Sequence, residues 1–158
     1  MDRSVIDRYE AQAHDLKHWV HGLTDPELDA FPVPGTWSVR QLVVHMYDSD
    51  LVATHRMRRI AAEDKPLLVS YDETAFSKVT AINAGSVEDV AELFALNRRW
   101  TADFLRALPD AAFDRVGVHT QRGLVSIGQL VSLYVQHVEG HRTFLLAKRE
   151  KLGKPLMR

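Results

Sequence analysis

Apolar residues recur at three- and four-residue spacing along four long segments of the chain. This spacing places them on one face of an α-helix, so the pattern predicts four amphipathic helices. The predicted helices cover about residues 5–21, 38–62 and 86–108 and a last segment from residue 126 onward. Polar residues occupy the opposite faces of the same segments. The chain is therefore expected to fold as an all-α bundle.

Two of these helices have a clear start. Ser38 is followed three residues later by Gln41, and Ser126 is followed at the same spacing by Gln129. A serine with a glutamine at this spacing forms a capping box at the first turn of a helix. Between the second and third helices lie some twenty residues, 63–85, which are enough to cross the bundle. The sequence predicts a four-helix bundle with a long crossover between helices two and three, which would make those helices parallel.

Two smaller elements are also predicted. A short helix is expected at about residues 74–82, inside the long connection. Residues 114–125 alternate around a Gln-Arg-Gly turn and predict a small β-hairpin before the last helix. The length of 158 residues suits one hydrophobic core, so a single domain over residues 1–158 is expected.

The last helix carries two histidines on its apolar side. His137 and His141 are four residues apart and share a stripe with Leu130, Tyr134 and Leu145. One inward histidine is commonly a core residue whose nitrogens are hydrogen-bonded to neighbours, and that alternative stays open for a pair. Imidazoles at this spacing are also typical metal ligands. The spacing makes a metal site a hypothesis to weigh against a structural role.

A third histidine can reach this pair from the second helix. His45 lies at the edge of that helix's apolar stripe, and Asp48 follows it by three residues on roughly the same side. Three imidazoles from two helices would leave coordination positions open for water or substrate, as in catalytic metal sites. An all-nitrogen ligand set suits zinc, nickel or iron(II), and zinc or nickel is expected first. Asp48 could hold a ligand or a metal-bound water, or be a solvated carboxylate.

Other histidines and the arginine clusters have plainer interpretations. His14, His18 and His21 also have metal-like spacing, but their phase points away from the apolar stripe of the first helix, which predicts surface positions. His119 lies in a loop that could approach a site. The clusters at residues 56–59 and 98–100 are expected to be solvated helix faces, with an acidic-substrate clamp as the alternative.

Charge and composition exclude several functions. Twenty basic and twenty-one acidic side chains give a net charge of −1, and no basic stripe indicates nucleic-acid binding. The chain has no cysteine, so a cysteine nucleophile or thiolate metal site is impossible and any thiol must be external. The first residues are charged too early for a signal peptide, and no apolar run reaches the ~18–20 residues of a membrane span. A soluble, cytoplasmic protein without membrane or nucleic-acid partners is expected.

Several motifs together resemble the DinB superfamily, and most closely its YfiT-like branch. They are Pro-Gly-Thr-Trp-Ser-Val-Arg-Gln-Leu-Val-Val-His-Met-Tyr-Asp-Ser at 34–49, Tyr-Asp-Glu at 71–73, Arg-Trp at 99–100 and Tyr-Val-Gln-His-Val-Glu-Gly-His at 134–141. The resemblance implies a four-helix bundle that binds a divalent metal through His45, His137 and His141. It also implies bacillithiol-type S-transfer and a homodimer.

The leading hypothesis is a metal-dependent S-transferase that activates a low-molecular-weight thiol for attack on an electrophilic substrate. In this hypothesis Asp48 orients a ligand or takes a proton, and Tyr71 and His119 contact the substrate. Two alternatives stay open. One is a metal-dependent hydrolase that uses a metal-bound water, and the other is a stress-related binding or interaction protein without catalysis. Dependence of turnover on a thiol separates the two enzymes.

Overall fold

The computed structural model describes residues 2–79 and 85–156, and helices dominate both stretches. The helices are α1 (Ser4–Ala11), α2 (Asp15–Val20), α3 (Asp25–Asp29), α4 (Val39–Ala62), α5 (Glu73–Ser77), α6 (Val87–Ala107) and α7 (Ile127–Lys151). The strands are β1 (Leu67–Leu68), β2 (Val116–His119) and β3 (Gly123–Ser126), and 3₁₀ turns occupy Gln12–His14 and Asp110–Asp114. Over these two stretches, no helix is long and apolar enough to cross a membrane.

The two predicted capping boxes start the helices that carry the histidines. The Ser38 hydroxyl accepts a hydrogen bond from the backbone N–H of Gln41, and the Gln41 side chain accepts one from the backbone N–H of Ser38. Ser126 and Gln129 repeat this exchange at the start of α7. Because each box satisfies two otherwise free N–H groups, it fixes where the helix begins and hence which residues face inward. Both predicted starts are confirmed.

The first predicted helix is interrupted. The sequence pattern indicates one helix over residues 5–21, whereas the structure has α1, a 3₁₀ turn at Gln12–His14 and α2. The apolar stripe continues through the turn, since Tyr9, Ala13 and Leu16 are all buried. The sequence pattern shows only which positions are buried at three- and four-residue spacing. A single 3₁₀ turn has three residues per turn and nearly keeps that spacing, so the interruption could not be predicted from the pattern.

Helices α4 and α6 lie side by side and run in the same direction. Asn97 of α6 donates a hydrogen bond to the Asp50 carboxylate of α4, and four residues further along both helices the hydroxyls of Thr54 and Thr101 are 2.9 Å apart. The connection between the helices contains β1 and α5 but also residues 80–84, which lie outside the described residues. The path of the crossover stays a prediction. The predicted short helix at 74–82 is confirmed only as far as Ser77, since residues 78–79 are not helical, and its part over residues 80–82 lies outside the described residues.

A small three-stranded sheet lies beside the bundle. The predicted hairpin is confirmed as β2 and β3, which pair antiparallel with Val116 opposite Ser126. Strand β1 adds to β2 in parallel, with Leu67 opposite Val118. The sequence did not predict β1, because two residues are too few to show a strand period. Parallel pairing brings the chain after β1 next to the end of β2, and so next to His119.

The helices enclose two apolar clusters. One contains residues of α1, the second half of α4 and the first half of α7, including Tyr9, Met57 and Leu130. The other contains residues of α2, the first half of α4 and the second half of α7, including Trp19 and Leu145. Along each helix, polar residues separate the positions that belong to the two clusters. A polar layer therefore crosses the middle of the bundle.

Arg98 is the centre of this polar layer and is fully buried. Its Nε donates to the Asp50 carboxylate at 3.0 Å, and its two Nη atoms donate to the backbone carbonyls of Tyr9 and Tyr134 and to the Gln12 side chain. These bonds join α1, α4 and α7 to α6 one turn before His137. The expectation that residues 98–100 form a solvated face is wrong for Arg98, because its charge has hydrogen-bond partners on α1, α4 and α7 and in the 3₁₀ turn at Gln12–His14.

Candidate metal centre

The three predicted histidines meet between α4 and α7. His45 comes from α4, and His137 and His141 come from successive turns of α7. The Nε2 atom of His137 lies 3.3 Å from Nε2 of His45 and 3.0 Å from Nε2 of His141. Within residues 2–79 and 85–156 these side chains form a group whose ligand atoms all lie within 4.8 Å of one another. Two well-capped helices thus direct three ring nitrogens at one point.

The distances fit a bound cation. Zinc–nitrogen bonds of about 2.0–2.1 Å place two tetrahedral ligands roughly 3.3–3.4 Å apart, close to the observed separations. The alternative of ordinary core histidines requires neighbours for the other ring nitrogens. In the part of the chain that the structure describes, the buried Nδ1 atoms of His137 and His141 have no hydrogen-bond partner. The arrangement therefore favours metal ligands over hydrogen-bonded core residues.

Burial holds the imidazoles in the form that binds metal. His45 is 4% exposed, and His137 and His141 are partly buried. Desolvation, with the neighbouring His141, lowers the pKa of His45 to about 4. Desolvation and the other two histidines lower the pKa of His137 to about 3, and burial also lowers the pKa of His141. All three rings are neutral at pH 7, so no proton has to leave before a cation binds.

Trp37 forms an aromatic wall of the site. Its ring lies parallel to that of His141, with 7° between the planes and 6.4 Å between the centroids. It also lies against His45, with the centroids 4.7 Å apart. Trp37 stands just before the cap of α4, so the capping box that starts the helix also positions this ring. A ring packed on two histidines restricts their rotation and excludes water from one side of the site.

Asp48, Tyr71 and His119, the other predicted site residues, all lie near the three histidines. Asp48 lines a narrow cleft with His45, and burial raises the pKa of its carboxyl. No hydrogen bond between Asp48 and the three histidines is found over the described stretches. Tyr71 and His119 line a cavity that His137 also borders, so both lie beside the three histidines. Their roles as base and substrate contacts stay predictions.

Glu73 is the site residue that the sequence argument missed. One carboxylate oxygen, Oε2, lies 3.9 Å from Nε2 of His45, and the side chain is about half exposed. Burial raises the pKa of this carboxyl, against the opposing effect of Arg56 and Arg122. Glu73 is the first residue of α5, within the quoted Tyr-Asp-Glu motif, and that motif was the only signal available. Glu73 lies in the connection between α4 and α6, which has no regular apolar spacing. Its position in the fold therefore could not be predicted from residue spacing.

Cavities of different character open on two sides of the histidines. The cavity on the His137 side has a volume of about 120 Å³ and polar walls that include Arg56, Tyr71 and His119. The one on the His141 side has a volume of about 330 Å³, and its surface is mostly apolar, with Trp37, Leu42 and Phe144 in the lining. A substrate at the histidines therefore has room for a polar part on one side and an apolar part on the other.

The three histidines of the first predicted helix lie outside this site. His14, His18 and His21 are all exposed, as their phase predicts.

Comparisons with known proteins find relatives that match most of the chain. The sequence model of the DinB superfamily matches residues 8–145. YfiT from Bacillus subtilis is 34% identical over 143 residues, which span 87% of this chain and 78% of YfiT. OB0782 from Oceanobacillus iheyensis is 30% identical over 137 residues, spanning 85% of this chain and 79% of that protein. Both carry the provisional name of a metal-dependent hydrolase.

A solved structure is similar over nearly the whole chain. The structure of Bacillus subtilis YfiT superposes with a TM-score of 0.89 at 26% identity, covering 95% of this chain and 86% of YfiT. That structure is described, again provisionally, as a metal-dependent hydrolase with an unusual four-helix bundle topology. The predicted helical bundle and the predicted resemblance are confirmed, and the bundle additionally carries the three-stranded sheet.

Proposed function

The chain belongs to the DinB superfamily, and from this premise we propose that it is a metal-dependent hydrolase whose centre is His45, His137 and His141. The observation that carries the proposal is the convergence of three neutral imidazoles, one buried and two partly buried, beside two cavities. Three protein ligands leave positions for water and substrate. These three residues would hold a divalent cation, zinc or nickel by the chemistry of the donors, which would lower the pKa of a bound nucleophile and polarise the bond under attack.

We assign the proton transfer to Glu73. Its Oε2 atom stands 3.9 Å from the Nε2 atom of His45, which is one of the nitrogens directed at the centre. A carboxylate at this distance can accept a proton from an attacking water and return it to the leaving group. The raised pKa of Glu73 brings the group closer to neutral pH, which favours such a transfer. Asp48, the base predicted from the sequence, is the second choice, because within residues 2–79 and 85–156 it makes no hydrogen bond or ion pair with the three histidines.

The names of the similar proteins support hydrolysis over thiol transfer. Thiol transfer is the second candidate, since a centre that activates water also activates a thiol. The absence of cysteine from the chain means that such a thiol would come from solution. Both candidates use the same ligands, and they differ in the nucleophile.

Hydrolysis of p-nitrophenyl acetate by zinc-loaded protein tests the proposal. We expect turnover without any added thiol, and we expect Glu73→Gln to lower kcat by roughly 10²- to 10⁴-fold while zinc content stays unchanged. Glu150→Gln, at an exposed glutamate, is the matched control and should keep full activity. Turnover that appears only with an added thiol would replace hydrolysis with transfer. Equal activity of Glu73→Gln and wild type would remove Glu73 from the mechanism.

A further inference from the structure

The polar cavity beside His137 contains hydrogen-bond donors that have no partner among the described residues. It lies among α4, the chain after β1, the turn between β2 and β3, and α7. Two side chains that line it have a buried polar atom without a partner in the described parts of the chain: Nε of Arg56 and the hydroxyl of Tyr71. Buried donors are nearly always satisfied in folded proteins, so two free donors on one cavity indicate a ligand.

The guanidinium of Arg56 is fixed by two hydrogen bonds, so its Nε atom cannot turn to find another partner. The residue is 7% exposed, one Nη donates to the Tyr134 hydroxyl at 3.1 Å, and the other donates to the carbonyl of Val69 at 2.7 Å. These two bonds fix the plane of the guanidinium, and Nε is the one guanidinium nitrogen without a hydrogen-bond partner in the described parts of the chain. A solvated arginine face, as the sequence pattern suggested, would not need such fixation.

The charge of the cavity favours an anion. Among the residues that line it, Arg56 and Arg122 carry positive charge and Glu73 carries the single negative charge. Glu73 makes no hydrogen bond with Arg56 or Tyr71 within the described residues. His119 adds a further donor, because its Nδ1 accepts from the backbone N–H of Gln121 and its proton is then on Nε2.

Size limits the anion to a small one. An apolar cavity of about 150 Å³ holds a benzene molecule, so about 120 Å³ holds a group of only a few heavy atoms. A carboxylate with one to three carbons meets this limit, and its two oxygens can accept from Arg56 Nε and the Tyr71 hydroxyl together. A nucleotide or a sugar phosphate is too large.

We propose that this cavity is a carboxylate subsite, formed by Arg56 and Tyr71, and that the substrate carries a carboxylate next to the group that reacts at the histidines. The inference rests on the proposed function for the reacting end of the substrate, while the subsite itself rests on the free donors. Arg56 and Tyr71 are binding residues in this proposal. The substrate class is a small carboxylic acid derivative.

The test follows propionate binding to zinc-loaded, ¹⁵N-labelled protein through the arginine Nε–H signals. We expect the Arg56 signal, identified by its loss in Arg56→Lys, to move saturably with propionate and to stay still with the neutral analogue propionamide. Tyr71→Phe should weaken propionate binding by roughly tenfold to a hundredfold, the worth of one hydrogen bond to a charged group. Arg58→Lys and Tyr47→Phe, outside the cavity, are matched controls and should bind as wild type.

Three results would overturn the subsite. These are no saturable movement of the Arg56 signal, equal binding of inorganic phosphate, and propionate affinity that is unchanged in Tyr71→Phe because the acid sits on the metal alone. Far-ultraviolet circular dichroism confirms that each variant is folded before it is scored. Hydrolysis of neutral p-nitrophenyl acetate in the same samples separates the two proposals. Activity without propionate binding removes only the subsite, and binding without activity removes only the hydrolase.

Discussion

Replacing Asp50 with asparagine should strip the buried Arg98 of its counter-charge and destabilise the protein. Both side chains are 1% exposed, and Arg98 Nε lies 3.0 Å from the Asp50 carboxylate. The carboxylate also accepts from Asn97 and from the Tyr9 hydroxyl, at 2.7 and 3.1 Å. The asparagine side chain would keep the volume but lose the charge and one acceptor oxygen. The guanidinium would then stay buried without an anion.

The cost follows from that burial. Removing one partner of a buried ion pair costs about 3–5 kcal/mol, against a total stability of about 5–15 kcal/mol for a domain. With a urea m-value of about 2 kcal/mol/M, a loss of about 4 kcal/mol lowers the unfolding midpoint by about 2 M. Urea unfolding followed by circular dichroism at 222 nm measures this shift directly.

An exposed ion pair on the same helix supplies the control. Glu63→Gln removes the partner of Arg59, whose side chain is partly exposed, and it should cost under about 1 kcal/mol. If Asp50→Asn were no more destabilising than Glu63→Gln, the polar layer would not be holding the helices together. Because Arg98 also binds the carbonyl of Tyr134 one turn before His137, a large loss in Asp50→Asn should be accompanied by weaker zinc binding.

Three further predictions concern the fold around the site. Folded-state pKa values of about 4 for His45 and about 3 for His137 lie below the unfolded value of about 6.5. The unfolded chain therefore takes up protons first, so metal-free protein should keep its stability above pH 6.5 and lose it progressively towards pH 4, as a urea series across pH would show. Ser38→Ala should lower the unfolding free energy by about 1 kcal/mol through loss of the cap, with Ser4→Ala nearly neutral by the same assay. Gly117→Ala would put a Cβ 2.8 Å from Leu68 and should cost about 1–3 kcal/mol in thermal unfolding.

The sequence predicted the elements whose signals are local. Ser38 with Gln41 and Ser126 with Gln129 marked two helix starts correctly, and these starts determine the phase of His45, His137 and His141. Phase also separated the inward histidines from exposed His18. Each of these conclusions needed only residues within a few turns of one another.

The features that the sequence did not predict depend on contacts between distant segments. Arginine is a residue type that is usually exposed, and the burial of Arg98 depends on Asp50, the Gln12 side chain and backbone carbonyls of two other helices. Glu73 reaches His45 because β1 pairs with β2, and a two-residue strand has no periodic signal. Arg56 is buried for a similar reason, since its partner Val69 lies in the same connection. Such placements follow from packing across the bundle.

The central claim is that His45, His137 and His141 hold a metal ion. Elemental analysis of untagged protein, purified without chelators and reconstituted with zinc, tests it by comparing wild type with His137→Ala and with the exposed control His18→Ala. We expect about one zinc per chain in wild type and in His18→Ala, and little or none in His137→Ala. A wild-type protein that binds no metal after reconstitution, or a His137→Ala variant that keeps the full complement, would contradict it.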